Sequence, residues 1–550
     1  MPQQLLVKRV LTLLILSYIF FFCGNSMVSL TDPDEVFYSL TAREMTAHND
    51  WLTPYIFNQP QFEKPIFAYW LLKIAFNAFG STPFAARFFP AVFATMGVLA
   101  VYALGLLGFK QERRAFWSAL VLGTSAFYIA MGKTVFTDMI FSVFILYALL
   151  SFYLAFFNLE SKRLGIVGFY FFSALAVLTK GPLGLAIPEL TVILFLLYRG
   201  QMNFLKDRWV IIGFILCFLT AAPWYIWMIT KYGQPFIHEF FYNDHWRRWL
   251  EAEHKSNDHW FFYPVTMLAG MFPWTLFLAA GLIGLYKKSR QGISTFDHFI
   301  LSWILIVFIV FQSAHSKLAS YILPIFPALA FLAGDFIEEQ LSYPGLQKKI
   351  KIFLSVMAGL VFLFGTAVFL AYPAYKKYLD SMAAVYFLSG MLITWAGILI
   401  TLVLKDKIIL GLGFLGTSFL PLVLAAYFVR ADIEPYISSF EASQYLPHAP
   451  VKTILLSSKP YARGLRYYTG EDIAVLDING SNYFSPHPIP ILNTMDKLTE
   501  FLQAQRFTYA VVKKGAYKIL TALPADAFRV TPVKTVGYNY ILTIESLSNS

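Results

Sequence analysis

About thirteen stretches of this chain are apolar enough, and long enough or nearly so, to cross a bilayer as helices. They lie near residues 9–30, 84–108, 115–131, 138–158, 164–179, 182–198, 209–230, 261–286, 297–314, 318–336, 352–373, 383–404 and 408–429. Composition agrees. Hydrophobic residues make up 58% of the 550 and charged residues only 14%, against roughly 25% in a soluble domain. One soluble core cannot absorb that excess, so the apolar surface has to face lipid. Residues 1–30 carry Lys8 and Arg9 before an apolar stretch. That stretch is longer than a signal-peptide core and lacks a small-x-small cleavage site, so it reads as the first span.

The net charge of +11 would suggest nucleic acid in a soluble protein. Here the cations sit in short clusters between the runs, which is how topology is encoded. The clusters are Lys8/Arg9, Lys110/Arg113/Arg114, Lys162/Arg163, Arg199/Lys206/Arg208, Lys287/Lys288/Arg290, Lys348/Lys349/Lys351 and Lys405/Lys407. One orientation puts all of them in the cytoplasm and implies an odd number of spans. Two long loops, 31–83 and 231–260, then fall outside together with residues 431–550. The two cysteines, Cys23 and Cys217, both lie in apolar runs, so neither a disulfide nor a cysteine metal site is expected.

The C-terminal stretch has ordinary soluble composition. "VKTILLSS", "DIAVLDI", "FTYAVVKK" and "NYILTIES" read as strands, and "TMDKLTEFLQA" and "KPYARGLRYY" as helices. Strands alternating with helices predict a small α/β domain. It has no glycine-rich phosphate loop, so a structural or interaction role is expected.

The first outer loop opens with acids. Asp32 and Glu35 flank Pro33 in an arrangement close to a capping box, with Asp32 as N-cap and Glu35 at N3. Asp34 is left over for chemistry, with Tyr38 one turn on. The helix expected at about 34–48 is too short and polar to span, so an interfacial position follows. "FEKP" then supplies Glu63 and Lys64 at the head of an amphipathic segment. Further ionisable or polar groups stand at span ends: Asp138, Lys180, Lys317 and Tyr321. Such groups are costly near lipid and mark functional sites by default. The loop 231–260 holds His238, His245, His254 and His259 with Arg247, Arg248 and interleaved aromatics. Trp246 and Trp249 suit a headgroup belt, while arginine suits bidentate phosphate binding.

Taken in order, "DPDEVFYSLTAREM", "FEKPIFAYWL", "TDM", "TKGPLG", "NDHWRRW" and "SKLASYILPIFPALA" resemble the bacterial aminoarabinose transferases that modify lipid A. These form a branch of the GT-C membrane glycosyltransferases, which also include protein O-mannosyltransferases. The resemblance spans about residues 1–430. It implies an α-helical polytopic membrane protein with about thirteen spans, interfacial helices and a small outer α/β domain at residues 431–550. It also implies an inverting transferase in the bacterial inner membrane, its site facing the periplasm. The donor would be a sugar on undecaprenyl phosphate and the acceptor lipid A or a related molecule. Transfer to a protein Ser or Thr, or lipid-linked sugar transport, are the alternatives. No internal repeat supports transport.

By the same resemblance Asp34, with Glu35, is the catalytic carboxylate. Lys64, Arg247 or Arg248, and Tyr321 hold the donor phosphate, with Tyr38, Asp138, Lys180 and Lys317 in support. Glu63 and His245 match positions associated with a metal ion, such as a structural zinc, although no cofactor is required for the reaction. One departure stands out: Phe37 occupies a position where the family commonly carries arginine.

Overall fold

The structure is a computed structural model that describes residues 3–253, 255–290, 292–379, 382–446, 453–478, 480 and 489–547. His254 and the start of "VKTILLSS" therefore lie outside the described residues.

Every apolar run has become helix. Ten helices among the described residues are long and apolar enough to cross a membrane, and two further pairs qualify if each is one bent span. The pairs are Glu112–Gly123 with Ala126–Gly132, bent by 63°, and Phe262–Gly270 with Thr275–Ser289, bent by 117°. The remaining expected run, 182–198, is the helix Leu183–Arg199, 17 residues long. Short loops force successive helices to pack antiparallel. Ala319–Ser342 is 94% buried and runs through the middle of the bundle, whereas Gln347–Leu370 and Met382–Leu404 are mostly exposed at its edge. Exposed Phe214, Phe218, Ile211 and Leu219 on one outer helix make sense only against lipid.

Between the first two spans lies an outer layer. It comprises the helix Asp34–Ala47, a two-residue hairpin pairing Tyr55–Ile56 with Gln59–Pro60, and the amphipathic helix Phe67–Phe79. The interfacial helix agrees with the reading of 34–48, but its cap differs. Pro33 is the N-cap and provides no side-chain bond. Asp32 instead turns away, its Oδ2 accepting from the Ser439 N–H at 2.7 Å. Glu35 accepts from the N–H and hydroxyl of Thr31 at 3.0 and 2.9 Å.

The last membrane helix runs on to Ile437, seven residues past the expected boundary. Beyond it a six-stranded mixed sheet has the spatial order Ile491–Leu492, Ile473–Leu476, Leu455–Ser458, Phe507–Val512, Asn539–Ser546, Phe528–Val536. The first four are parallel and the last two antiparallel. All four strands and both helices read from the sequence are present, with "KPYARGLRYY" divided into a short 3-10 turn and the helix Ala462–Thr469. Ile491–Leu492, Phe528–Val536 and the helix Lys514–Thr521 had no clear sequence signal.

This domain is fastened to the outer layer of the membrane part. Arg466 pairs with Glu44 at 3.2 Å, and Arg43 donates to the carbonyls of Arg466 (3.2 Å) and Tyr467. The Tyr467 hydroxyl donates to the Ser81 carbonyl at 3.2 Å. The α-carbon of Gly464 comes so close to Ser439 and Asp32 that a Cβ there would sit 2.1 Å from the Ser439 hydroxyl and 2.3 Å from Asp32 Oδ1. Only glycine permits that approach.

Candidate active site

Four segments far apart in sequence converge at the outer end of the bundle. They are the "FEKP" turn, the helix His238–Arg247 with its continuation, the end of the span Lys162–Lys180, and the 3-10 turn Ala319–Ile325 that opens the central span. Their meeting point is Asp244. Lys64 Nζ donates to Asp244 Oδ2 at 2.6 Å, and Arg248 Nε lies 3.1 Å from Asp244 Oδ1. Arg248 also pairs with Glu253 at 3.1 Å and donates to the Tyr321 hydroxyl at 3.1 Å. Lys180 stands 4.1 Å above the Tyr321 ring and pairs with Asp138.

The segment His238–Arg247 is a π-helix, a wide-turned form found often at functional sites. Arg248 lies on the Asp244 side, while Arg247 turns outward to Glu251 at 2.9 Å with both side chains well exposed. Of the two arginines left open by the sequence, the structure brings Arg248 into the cluster. Asp244 was missed in reading the sequence. Its signal was the i,i+4 spacing to Arg248, overlooked beside the more conspicuous cations.

Electrostatics keep these groups charged. Burial alone would push the Asp244 carboxyl up, but Lys64 and Arg248 hold it below its usual range. Burial would lower the Lys64 pKa, and Asp244 more than offsets this, leaving it raised. Arg248 is likewise held up against its burial by Asp244. Lys64 and Arg248 share Asp244, and Arg248 also pairs with Glu253, so carboxylates offset both cations.

Asp34 lies in the first turn of its helix, is exposed, and acts electrostatically on Tyr38 one turn later. Burial, Tyr69 and Asp138 push the Tyr38 hydroxyl well up, so it stays protonated. Glu35 belongs elsewhere. It is fully buried and grips Arg87 through two bonds, Nε to Oε1 at 2.9 Å and Nη2 to Oε2 at 2.6 Å. It also accepts from the Val135 N–H at 3.1 Å. Of the two carboxylates expected to be catalytic, Glu35 is thus structural, every oxygen committed to holding the loop on the bundle, and Asp34 is the exposed one. Lys317 is also set apart: its ammonium pairs with Asp258 at 2.5 Å, beside His315.

Glu63 and His245 are the two residues that the resemblance associates with a metal ion. Among the described residues no three His, Cys, Asp or Glu side chains converge as ligands. His245 Nδ1 donates to the Phe240 carbonyl at 2.7 Å, and Nε2 is packed against the Gly181 α-carbon. Burial lowers the His245 pKa and leaves a neutral ring that locks the π-helix to the 181 turn. Burial raises the Glu63 carboxyl, with Arg463 and Lys64 pulling it back.

An apolar groove borders the segment that carries Asp244. It has a volume of about 280 Å³ and is almost purely apolar, lined by Val177, Leu185, Phe214, Phe218, Tyr225 and Phe241 among others. At its upper end Tyr225 packs on Phe240, and Phe240 packs on His245, with ring centroids 5.5 and 4.6 Å apart. The groove thus ends at the segment that carries Asp244 and Arg248.

A family model described as dolichyl-phosphate-mannose-protein mannosyltransferase matches residues 63–227. An undecaprenyl phosphate-alpha-4-amino-4-deoxy-L-arabinose arabinosyl transferase of Serratia proteamaculans is 32% identical over 340 residues, 60% of this chain and 59% of that protein. One of Proteus mirabilis is 28% identical over 336 residues, 60% of each. The matched region thus spans about six tenths of the curated relatives' length. The crystal structure of ArnT from Cupriavidus metallidurans bound to undecaprenyl phosphate superimposes with a TM-score of 0.78 at 19% identity, covering 99% of this chain and 98% of that one. The fold is that of a polytopic GT-C membrane protein with an outer α/β domain. Within that class the chain is aminoarabinose transferase-like in both sequence and architecture.

Proposed function

We propose that the protein transfers 4-amino-4-deoxy-L-arabinose, or a closely related sugar, from undecaprenyl phosphate to a phosphate of lipid A or a related glycolipid. The reaction takes place at the periplasmic face of the bacterial inner membrane. The observation that carries this reading is the cluster of Lys64, Arg248 and Tyr321 around Asp244, whose own segment also lines an apolar groove through Phe241. Part of a polyprenyl tail would lie in the groove, with its phosphate directed to the cations. The relatives' names and the lipid bound to the similar ArnT structure support the same donor.

The chemistry follows from charge. The acceptor phosphate oxygen forms a bond to the anomeric carbon as the bond from that carbon to the donor phosphate breaks. The electron pair leaves with the polyprenyl phosphate, which becomes a dianion. Lys64 and Arg248 stabilise that developing charge, and no proton has to move. Asp34 orients the acceptor and faces the positive charge that builds on the sugar ring. A phosphorylated acceptor is already ionised, so Asp34 need not act as a base.

The test is reconstitution of the full chain in proteoliposomes with lipid A and undecaprenyl-phosphate-linked aminoarabinose, followed by mass spectrometry of the lipid. Addition of one sugar to a lipid A phosphate is expected. Sugar appearing on protein Ser or Thr, as the family model's description suggests, would replace the acceptor assignment, with Asp34 then a true base. Sugar crossing the bilayer without transfer would refute the enzyme reading.

A further inference from the structure

Arg248 reaches the cluster from a loop with little regular structure of its own. After the turn Arg248–Leu250 the described residues hold one short 3-10 turn, Lys255–Asn257, before the helix Phe262–Gly270. Trp249, Leu250 and Trp260 are exposed, so apolar packing does little to fix this loop. Hydrogen bonds to residues 315–317 do. The His315 N–H donates to the Trp249 carbonyl at 3.1 Å, and the Ser316 N–H donates to the Arg248 carbonyl at 3.0 Å. Further along, Asp258 closes the loop onto the same stretch. Its Oδ1 accepts from Lys317 Nζ at 2.5 Å and its Oδ2 from His315 Nδ1 at 2.8 Å. Asn257 Nδ2 adds a bond to the Lys317 carbonyl at 3.1 Å.

The chemistry of this staple makes it firm. Lys317 is 4% exposed, and a buried ammonium needs a fixed anionic partner. Lys317 first, and His315 after it, hold the Asp258 carboxyl below its usual range, so its bonds are charge-assisted. The stapled stretch leads directly into the turn Ala319–Ile325, which carries Tyr321. Arg248 is therefore referred to this stretch twice, by its carbonyl to Ser316 and by its guanidinium to the Tyr321 hydroxyl at 3.1 Å. A group that must meet a phosphate loses much of its effect when displaced by an ångström. Asp258 holds the far end of the loop that sets this placement.

We propose that Asp258, bonded to Lys317 and His315, is a positioning residue for binding of the donor phosphate. It staples the loop 248–258 to the stretch leading to Tyr321, and so fixes the Arg248 guanidinium where a lipid-borne phosphate meets it. The inference rests on the transfer reading above for the part played by Arg248.

The experiment uses the full chain in nanodiscs with undecaprenyl phosphate as the binding probe, and measures donor kcat/KM and acceptor KM in proteoliposomes. D258N is expected to weaken probe binding roughly tenfold and to lower donor kcat/KM by a similar factor. The acceptor KM should change less than about twofold. In an R248Q background D258N should cost less than about twofold more, because a residue acting through Arg248 has nothing left to position. D258E should recover part of the binding. D258N/K317M removes the stranded ammonium, so it should restore any thermal stability lost in D258N without restoring binding. Parental binding in D258N, a full further loss on top of R248Q, or binding restored in D258N/K317M overturns the positioning role and leaves the transfer reading standing. Parental binding in R248Q overturns the assignment of Arg248 to the donor phosphate, and the positioning role with it. A parent that binds the probe through Arg248 but transfers no sugar overturns the transfer reading and leaves the positioning role standing.

Discussion

Replacing Lys64 by alanine separates binding from folding at the centre of the cluster. Its ammonium is 12% exposed and bonds Asp244, itself 6% exposed, at 2.6 Å. Two effects follow. Removing one charge-assisted bond to the leaving phosphate costs about 1.5–3 kcal/mol, or about ten- to 150-fold in kcat/KM for the donor. Removing one partner of a buried pair costs about 3–5 kcal/mol when the other charge is stranded. Arg248, 3.1 Å from the same carboxylate, keeps Asp244 partly compensated, so the stability loss should fall at or below the low end of that range. The double variant K64A/D244N removes the stranded charge as well. It should regain thermal stability without regaining donor use. Donor titration in proteoliposomes and a thermal unfolding scan in detergent measure the two separately. A K64A protein of normal stability with unchanged donor kcat/KM would refute the assignment of Lys64 to the donor phosphate.

Three further outcomes are expected. D34N should fold normally and lose about a hundredfold or more in transfer rate; parental turnover in the same assay would remove Asp34 from the mechanism. E35A strands the 6%-exposed Arg87 and should cost about 3–5 kcal/mol of stability, so an unshifted unfolding transition would show that the pair does not hold the loop. Burial raises the Asp32 carboxyl from the ordinary 3.8 to about 7. The folded protein therefore holds that proton more tightly than the unfolded chain, and the stability it confers is complete below about pH 4 and lost as pH rises through about 7. D32N should flatten that pH dependence between about pH 4 and about 7, and thermal scans with the same slope for parent and D32N would contradict it.

The membrane architecture was legible because lipid leaves a chain few options. A long apolar run has no backbone partners except its own, so it becomes helix wherever it occurs, and all the expected runs did. The interfacial helix and the main strands of the outer domain followed from equally local patterns. Site residues were legible to the extent that they sit in charged motifs at span ends. Their division of labour was not. Glu35 and Asp34 are neighbours in sequence, yet one is sealed against Arg87 and the other exposed. Arg247 and Arg248 are likewise adjacent, yet one pairs with Glu251 and the other joins Asp244.

What the chain's sequence determined by itself is a many-spanned helical body with its ionisable groups gathered at the span ends, since hydropathy and cation placement act residue by residue. What the tertiary structure alone decided is which of those groups meet. Asp244 joins Lys64 across 180 residues, and Arg463 joins Phe37 across more than 400. Such pairings depend on which helix faces turn inward and how the outer domain docks, and no local propensity records either.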